Sequence, residues 1–259
     1  MQIKGFYVAL LLSLLAGGAI ASDVNDPWEG MNRSIFEFNE GLDAYVAKPI
    51  AEGYQAVTPQ VVDTGISNFF SNLEDVLIVF NDLFQLKPVQ AASDSARFVV
   101  NSTVGLLGFF DVASHIGLVK HDEDFGQTLG YWGVGAGPYV MLPVLGPSNL
   151  RDTFGLATDT ATGLGYTAVG QTTAQSFGLW SLRNIDVRAD LIASEGLVTG
   201  ERYIFFRSFY QQRREYLVND GVVEDDFDDD FDDDFDDFDD ESDDFDDESE
   251  EESAEFEEE

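Results

Sequence analysis

Asp124-Phe-Gly-Gln-Thr-Leu-Gly-Tyr-Trp-Gly-Val-Gly-Ala-Gly-Pro-Tyr-Val-Met-Leu-Pro-Val-Leu-Gly-Pro-Ser-Asn-Leu-Arg-Asp152 is the stretch on which the reading of this chain turns. Five glycines, Gly126, Gly130, Gly133, Gly135 and Gly137, run straight into an apolar segment punctuated by Pro138, Pro143 and Pro147. Glycine admits positive φ and lets other groups approach the main chain. Proline has a fixed φ and no N–H to donate, so three of them forbid a continuous helix. The stretch is therefore expected to be a shaped loop or hairpin, too apolar to be a solvated linker. Unstructured loops of this length are uncommon in compact domains and are generally functional when they occur.

Outward from this segment the pattern is helical. Asn32 to Val57 places Ile35, Phe36, Phe38, Leu42, Tyr45 and Val46 at helical spacing, with Pro49 as a break or kink. Ser67 is read as the cap of a helix reaching Leu86, whose apolar residues, Phe69, Phe70, Val76 and Phe80 among them, cover most of its circumference. Apolar surface on several sides requires burial on several sides, in protein or in lipid. Pro88 to Val104 reads as a further helix. Ser148 is read as capping another, with Asp152 in its first turn, and Asp186–Ser194 and Glu201–Asn219 complete the set. The last crowds Tyr203, Phe205, Phe206, Phe209 and Tyr210 beside Arg202, Arg207, Arg213 and Arg214. That composition suits a membrane interface, and equally a packed face with solvated charges. The fold class expected is mostly α.

The termini differ from this body. Residues 1–21 carry one charge, Lys4, an apolar run from Phe6 to Leu15 and the small-residue site Ala19-Ile20-Ala21, the pattern of a secretory signal peptide cleaved before Ser22. The run is much shorter than the roughly 20 residues of a spanning helix. Residues 22–223 read as one domain, and residues 224–259 as a disordered tail. Of the 50 acidic residues, 26 lie between Glu224 and Glu259 with no basic residue among them, leaving 24 against all 13 basic residues in the rest of the chain. Charge at that density cannot bury a core, and it disfavours a nucleic-acid partner. Phe227, Phe231, Phe235, Phe238, Phe245 and Phe256 punctuate the tail. They suit either stickers for a basic partner or a merely solubilising segment. The chain has no cysteine, so disulfides, thiol chemistry and a cysteine-linked lipid anchor are not expected.

No catalytic signature is present: no Gly-x-Ser-x-Gly elbow, no phosphate loop and no His-Glu-x-x-His motif. Gly133, Gly135 and Gly137 are spaced too closely for a dinucleotide fingerprint. His121, near Asp122, Glu123 and Asp124, is a candidate metal or acid–base residue, weighed against ordinary solvated and capping carboxylates. Arg151 offers a planar fork to a lipid phosphate, weighed against an ion pair with Asp152 at a helix start. No enzyme activity, cofactor or metal is expected.

Several ordered motifs resemble the MlaA (VacJ) family of outer-membrane phospholipid-transport proteins. They are Asp26-Pro27-Trp28-Glu29-Gly30-Met31-Asn32-Arg33, Ile66-Ser67-Asn68-Phe69, Asn101-Ser102-Thr103-Val104-Gly105, the glycine segment, and Tyr210-Gln211-Gln212-Arg213-Arg214. The resemblance covers roughly residues 26 to 221. It implies a ring-like bundle of amphipathic helices with a glycine-rich hairpin, seated in the inner leaflet of the outer membrane on its periplasmic side, beside a trimeric porin. Such a protein would remove misplaced phospholipid from the outer leaflet and pass it to a soluble periplasmic carrier. On that reading Gly126, Gly130, Gly133, Gly135, Gly137, Pro138 and Arg151 line the lipid passage, and Phe69, Phe70, Phe80, Phe205 and Phe206 face the membrane. Family members are typically lipidated on a cysteine, which this chain lacks. The alternative is a soluble periplasmic lipid-binding module or hydrolase.

Overall fold

The computed structural model describes residues 26–170 and 172–222; the expected signal peptide and acidic tail lie outside them. As expected, the fold is mostly helical. Helix α1 (Glu29–Leu42) passes through one π-helical turn, Asp43–Ala47, into α2 (Lys48–Val57). Pro49 sits in the first turn of α2. The wider π turn before it absorbs the missing N–H, so the proline shifts the helix register without ending the helix. Thr58 does end it: preceding Pro59, it is driven to an extended ψ of 116°.

Helix α3 (Gln60–Phe84) starts a full two turns before the expected Ser67 cap, because Pro59 supplies a preorganised start. It pairs with α4 (Pro88–Thr103) in the most extensive helix contact of the fold. After the short α5 (Val112–His115) comes the glycine-rich stretch, and it is far from structureless. It holds α6 (Phe125–Tyr131), a linker, and an antiparallel hairpin of β1 (Tyr139–Leu142) and β2 (Gly146–Asn149), which leads directly into α7 (Leu150–Thr162). The hairpin register runs from Tyr139 opposite Asn149 to Leu142 opposite Gly146. The glycines therefore precede the hairpin, and Val144 (φ 70°) and Gly146 (φ 87°) make its turn. The α7 cap is Asn149, one residue later than the expected Ser148: its side chain accepts the Asp152 N–H.

The short α8 (Tyr166–Val169) precedes α9 (Thr173–Leu191). Helix α9 begins thirteen residues before the expected Asp186, at a capping box formed by Thr172 and Gln175. A 3₁₀ turn, Ile192–Leu197, leads to α10 (Arg202–Val218). The conventional apolar core is small: Tyr139, Met141 and Tyr203, with Ile35, Phe36, Ile204 and Tyr210 against them.

Elsewhere the usual polarity is inverted. Among the described residues 17 polar or charged side chains are buried against 11 hydrophobic ones, whereas soluble folds almost never bury Asp, Glu or Arg in such numbers. Helix α3 buries Asn72, Asp75, Asn81 and Asp82 while Val61, Phe80, Leu83 and Phe84 are exposed. Helix α4 buries Asp94, Arg97 and Asn101 while exposing Val89 and Val99. No helix among the described residues is long and apolar enough to cross a membrane.

Candidate functional site

The hairpin is fastened by helix α1 acting as a third strand. Asn32 donates to the Tyr139 carbonyl (3.1 Å) and accepts the Met141 N–H (2.8 Å). Asn39 donates to the Leu142 carbonyl (2.9 Å) and accepts the Val144 N–H (2.8 Å). The spacing makes this possible. Two helical turns cover about 10.5 Å, close to the roughly 10 Å spanned by three residues of strand, so one helix face satisfies the open edge of β1. Asn32 also donates to the fully buried Asp26 (2.7 Å), which accepts from Tyr203 and Arg207 as well. The chain start, hairpin and α10 are thereby tied together.

A second cage joins α6, α7 and α10. Asp124 caps α6 by accepting the Gln127 N–H (2.8 Å), and Arg214 grips its carboxylate through both terminal nitrogens (2.6 and 2.9 Å). Asp152 accepts from Arg214 (3.0 Å), Tyr210 (2.6 Å), Asn149 (2.7 Å) and Arg151 (2.9 Å). Burial pushes both carboxyls up, but these donors more than offset it and hold Asp124 and Asp152 below the ordinary carboxylate range.

Gly126 and Gly130 belong to this cage and not to a flexible hairpin. A side chain at Gly126 would meet Asp152 and Arg214 at 2.6 and 2.8 Å, and one at Gly130 would meet Val218 and Arg151 at 2.7 and 2.8 Å. Gly155 on α7 faces Gly126 backbone at 2.4 Å from its would-be Cβ, so the two helices touch main chain to main chain. Gly133 (φ 82°) and Gly137 (φ 69°) do turn the linker, and Gly133 and Gly135 have open space around them. Pro138 follows; its carbonyl accepts the Leu150 N–H (3.2 Å). Arg151 sits on Asp152 and also reaches the Val134 carbonyl (3.4 Å), so the ion-pair reading and its place beside the linker both describe it.

Between hairpin and α10 lies a cavity of about 610 Å³, lined by Gly137, Tyr139, Asn149, Arg151, Tyr210 and Arg214 among others. A second, mostly apolar cavity of about 370 Å³ is formed by Leu191, Leu197, Val198, Phe205, Phe206 and Phe209. Its arginines are internally paired: Arg188 with Asp43 (2.6 and 2.8 Å) and Arg202 with Glu40 (2.7 and 3.1 Å).

Of the aromatics expected to face the membrane, Phe80 is exposed and Phe69, Phe205 and Phe206 are half-buried. Phe70 corrects the expectation: it is fully buried, edge-on to Phe69, because it falls on the inward face of α3. Tyr139 is buried in the core, whereas Tyr131 and Trp132 are exposed, the latter donating to the Phe84 carbonyl (3.0 Å). His121 binds Asp94 (2.6 Å). Among the described residues no cluster of His, Asp and Glu is arranged to hold a metal ion. Sequence reasoning placed Asp26 and Arg214 in family motifs, and Tyr203 and Arg214 on an aromatic, arginine-bearing helix, but it did not find the contacts that join them or Asn39 to the hairpin and cage. The seven-residue spacing of Asn32 and Asn39 is a local signal that could have suggested the hairpin clips.

The arrangement defines a class: a helical protein with a polar, ion-paired interior and an apolar outer surface, carrying a hairpin pinned next to a cavity lined by arginine and amide groups. Comparison with known proteins gives the same answer more narrowly. The family model for MlaA lipoprotein matches residues 24–217, and the chain belongs to that family. It is 36% identical over 234 residues to the intermembrane phospholipid transport system lipoprotein MlaA of Escherichia coli (strain K12), covering 86% of this chain and 92% of that protein. The protein of the same name from Haemophilus influenzae is 31% identical over 241 residues, covering 86% and 94%. A chain solved in work on the structural basis for maintenance of bacterial outer membrane lipid asymmetry aligns with a TM-score of 0.67 at 38% identity, covering 75% of this chain and 99% of the other.

Proposed function

We propose that this protein removes mislocalised phospholipid from the outer leaflet of the outer membrane and passes it to a soluble periplasmic carrier, maintaining lipid asymmetry without itself catalysing a reaction. The observation that carries this reading is the inverted polarity. Exposed Phe, Leu and Val on α3, α4 and the 104–110 segment match acyl chains, while the buried carboxylates, amides and arginines give a headgroup polar surroundings that lipid does not offer. The protein sits embedded from the periplasmic side, no helix among the described residues being long and apolar enough to cross a membrane, and a trimeric porin beside it is the partner the family resemblance supports.

In this scheme the cavity lined by Arg151 and Arg214 takes the polar end of the lipid. The linker from Gly133 to Pro138 is its movable wall, since Gly133 and Gly135 are uncrowded. The test is deletion of the gene in its host with measurement of outer-leaflet phospholipid. Accumulation reversed by the full chain is the expected result; unchanged lipid, with the protein leaving in the soluble periplasmic extract, would favour a soluble binding module instead.

A further inference from the structure

We propose that the cavity between the hairpin and α10 prefers a zwitterionic headgroup, a phosphate diester joined through a short carbon link to a primary ammonium, over an anionic one. The inference rests on the reading of this cavity as the seat of the lipid's polar end. Its volume of about 610 Å³ lies within the roughly 300–1,000 Å³ of small-molecule sites.

The two arginines in its wall are not equally available. Arg214 is spent: its terminal nitrogens hold Asp124 (2.6 and 2.9 Å) and Asp152 (3.0 Å), and its Nε faces Asp152 at 2.8 Å. Arg151 is only partly engaged. Its side chain is 7% exposed, with Nε on Asp152 (2.9 Å) and Nη1 at the Val134 carbonyl (3.4 Å). Its Nη2 makes no hydrogen bond among the described residues, so it keeps donors for a phosphate oxygen.

The opposite charge stands on the same wall. Ser208, Gln211, Glu215 and Val218 recur at three- and four-residue spacing, so one face of α10 lines the cavity. Glu215 is exposed, and its carboxylate has no hydrogen bond or ion pair among the described residues. The side-chain amides of Gln211 and Asn219 are equally unengaged there. Arg151 and Arg214 stand against Asp124, Asp152 and Glu215, two positive charges against three negative, so the site is left with one negative charge. Despite its arginines the cavity is no anion trap.

An anionic headgroup brings its phosphate to Arg151 and leaves Glu215 without a counter-charge. A phosphoethanolamine group answers both, with phosphate at Arg151 and ammonium at Glu215 and the amide oxygens. A quaternary ammonium has no N–H to give those acceptors and is held instead by aromatic faces. The Tyr139 ring is already packed between Tyr203 and Tyr210.

The full chain in non-ionic detergent at low salt tests this, titrated by calorimetry with dihexanoyl phosphatidylethanolamine, phosphatidylcholine and phosphatidylglycerol. The wild type is expected to bind the ethanolamine lipid about fivefold more tightly than the glycerol lipid, the scale of one exposed charge contact, and more tightly than the choline lipid. Glu215→Gln should lose the distinction between the ethanolamine and glycerol lipids, and Glu215→Lys should reverse it. Glu37→Gln, which removes an exposed acid of α1 outside the cavity, should keep the wild-type preference. Wild-type affinity for the glycerol or choline lipid equal to that for the ethanolamine lipid would overturn the headgroup assignment and leave lipid transport standing. So would a preference that survives in Glu215→Gln or vanishes in Glu37→Gln. Binding of none of the three lipids would overturn both the assignment and the reading of the cavity as the lipid's seat.

Discussion

The cage around Asp124 and Asp152 and the interior between α3 and α4 are both built from buried carboxyls, yet they solve the same problem in opposite ways. In the cage every acid meets an arginine or a donor: Arg214 bridges Asp124 and Asp152, and Tyr210, Asn149 and Arg151 complete the shell. These acids are held below the ordinary range. Between α3 and α4, Asp82 accepts no hydrogen bond and Asp75 has only a lysine, Lys120 at 3.1 Å, and burial drives both upward. One region is an anchor in which arginine offsets each carboxylate; the other leaves the Asp82 carboxyl buried with no donor. Acid should therefore loosen the first and alkali the second.

Arg214→Met breaks the comparison most severely. It leaves Asp124 buried without its arginine and takes one of two arginines from Asp152, which keeps Arg151 (2.9 Å), at a cost of about 3–5 kcal/mol, and chemical denaturation in detergent should show that loss. Because Arg214 holds Asp124 below the ordinary range, and Arg151 together with Arg214 does so for Asp152, their stabilisation is present above about pH 4 and fades below it. The wild-type cage should weaken on acidification, and the variant should be less acid-sensitive.

Gly155→Ala comes next. Its Cβ would lie 2.4 Å from the Gly126 backbone nitrogen, so α6 and α7 must separate, with a cost of about 1–3 kcal/mol and a lower melting midpoint. Should that variant melt like the wild type, the main-chain contact between the two helices is not what holds the cage.

Asn39→Ala removes one of the two hairpin clips and should cost about 1–2 kcal/mol, read as faster amide exchange at Val144 with the α3–α4 amides unchanged. Gly133→Val combined with Gly135→Val is expected to cost about 1–2 kcal/mol at the positive-φ Gly133, since a Cβ at either position meets no neighbour. Its expected phenotype is functional: outer-leaflet phospholipid accumulates while the protein remains folded and membrane-bound. Normal asymmetry in that variant would mean that the linker is not the movable wall.

The glycine segment shows how far local chemistry carries a reading. Its prolines announced a non-helical stretch, and the structure has a hairpin there; but all five glycines looked alike in sequence. Only packing separates Gly126 and Gly130, which let Asp152, Arg214 and Val218 approach, from Gly133 and Gly137, which turn the backbone. The start of α9 was missed for a related reason. Its capping box at Thr172 and Gln175 follows a glycine-rich, weakly patterned segment in which no apolar period marks the helix.

By itself the sequence determined the helical class, the breaks at proline, the capped start with Asp152 in its first turn, and the family, because these depend on backbone conformations and motifs within a few residues of each other. Which face of each helix is inside was decided only by tertiary structure. Apolar surface signals burial without saying whether protein or lipid buries it, so α3 was legible as apolar on several sides while the inward turn of its Asn and Asp residues was not. The same holds for Asp26 and Arg214. Their partners lie far away in the chain, and a carboxylate's charge and role are set by the donors and the water that folding brings to it or removes.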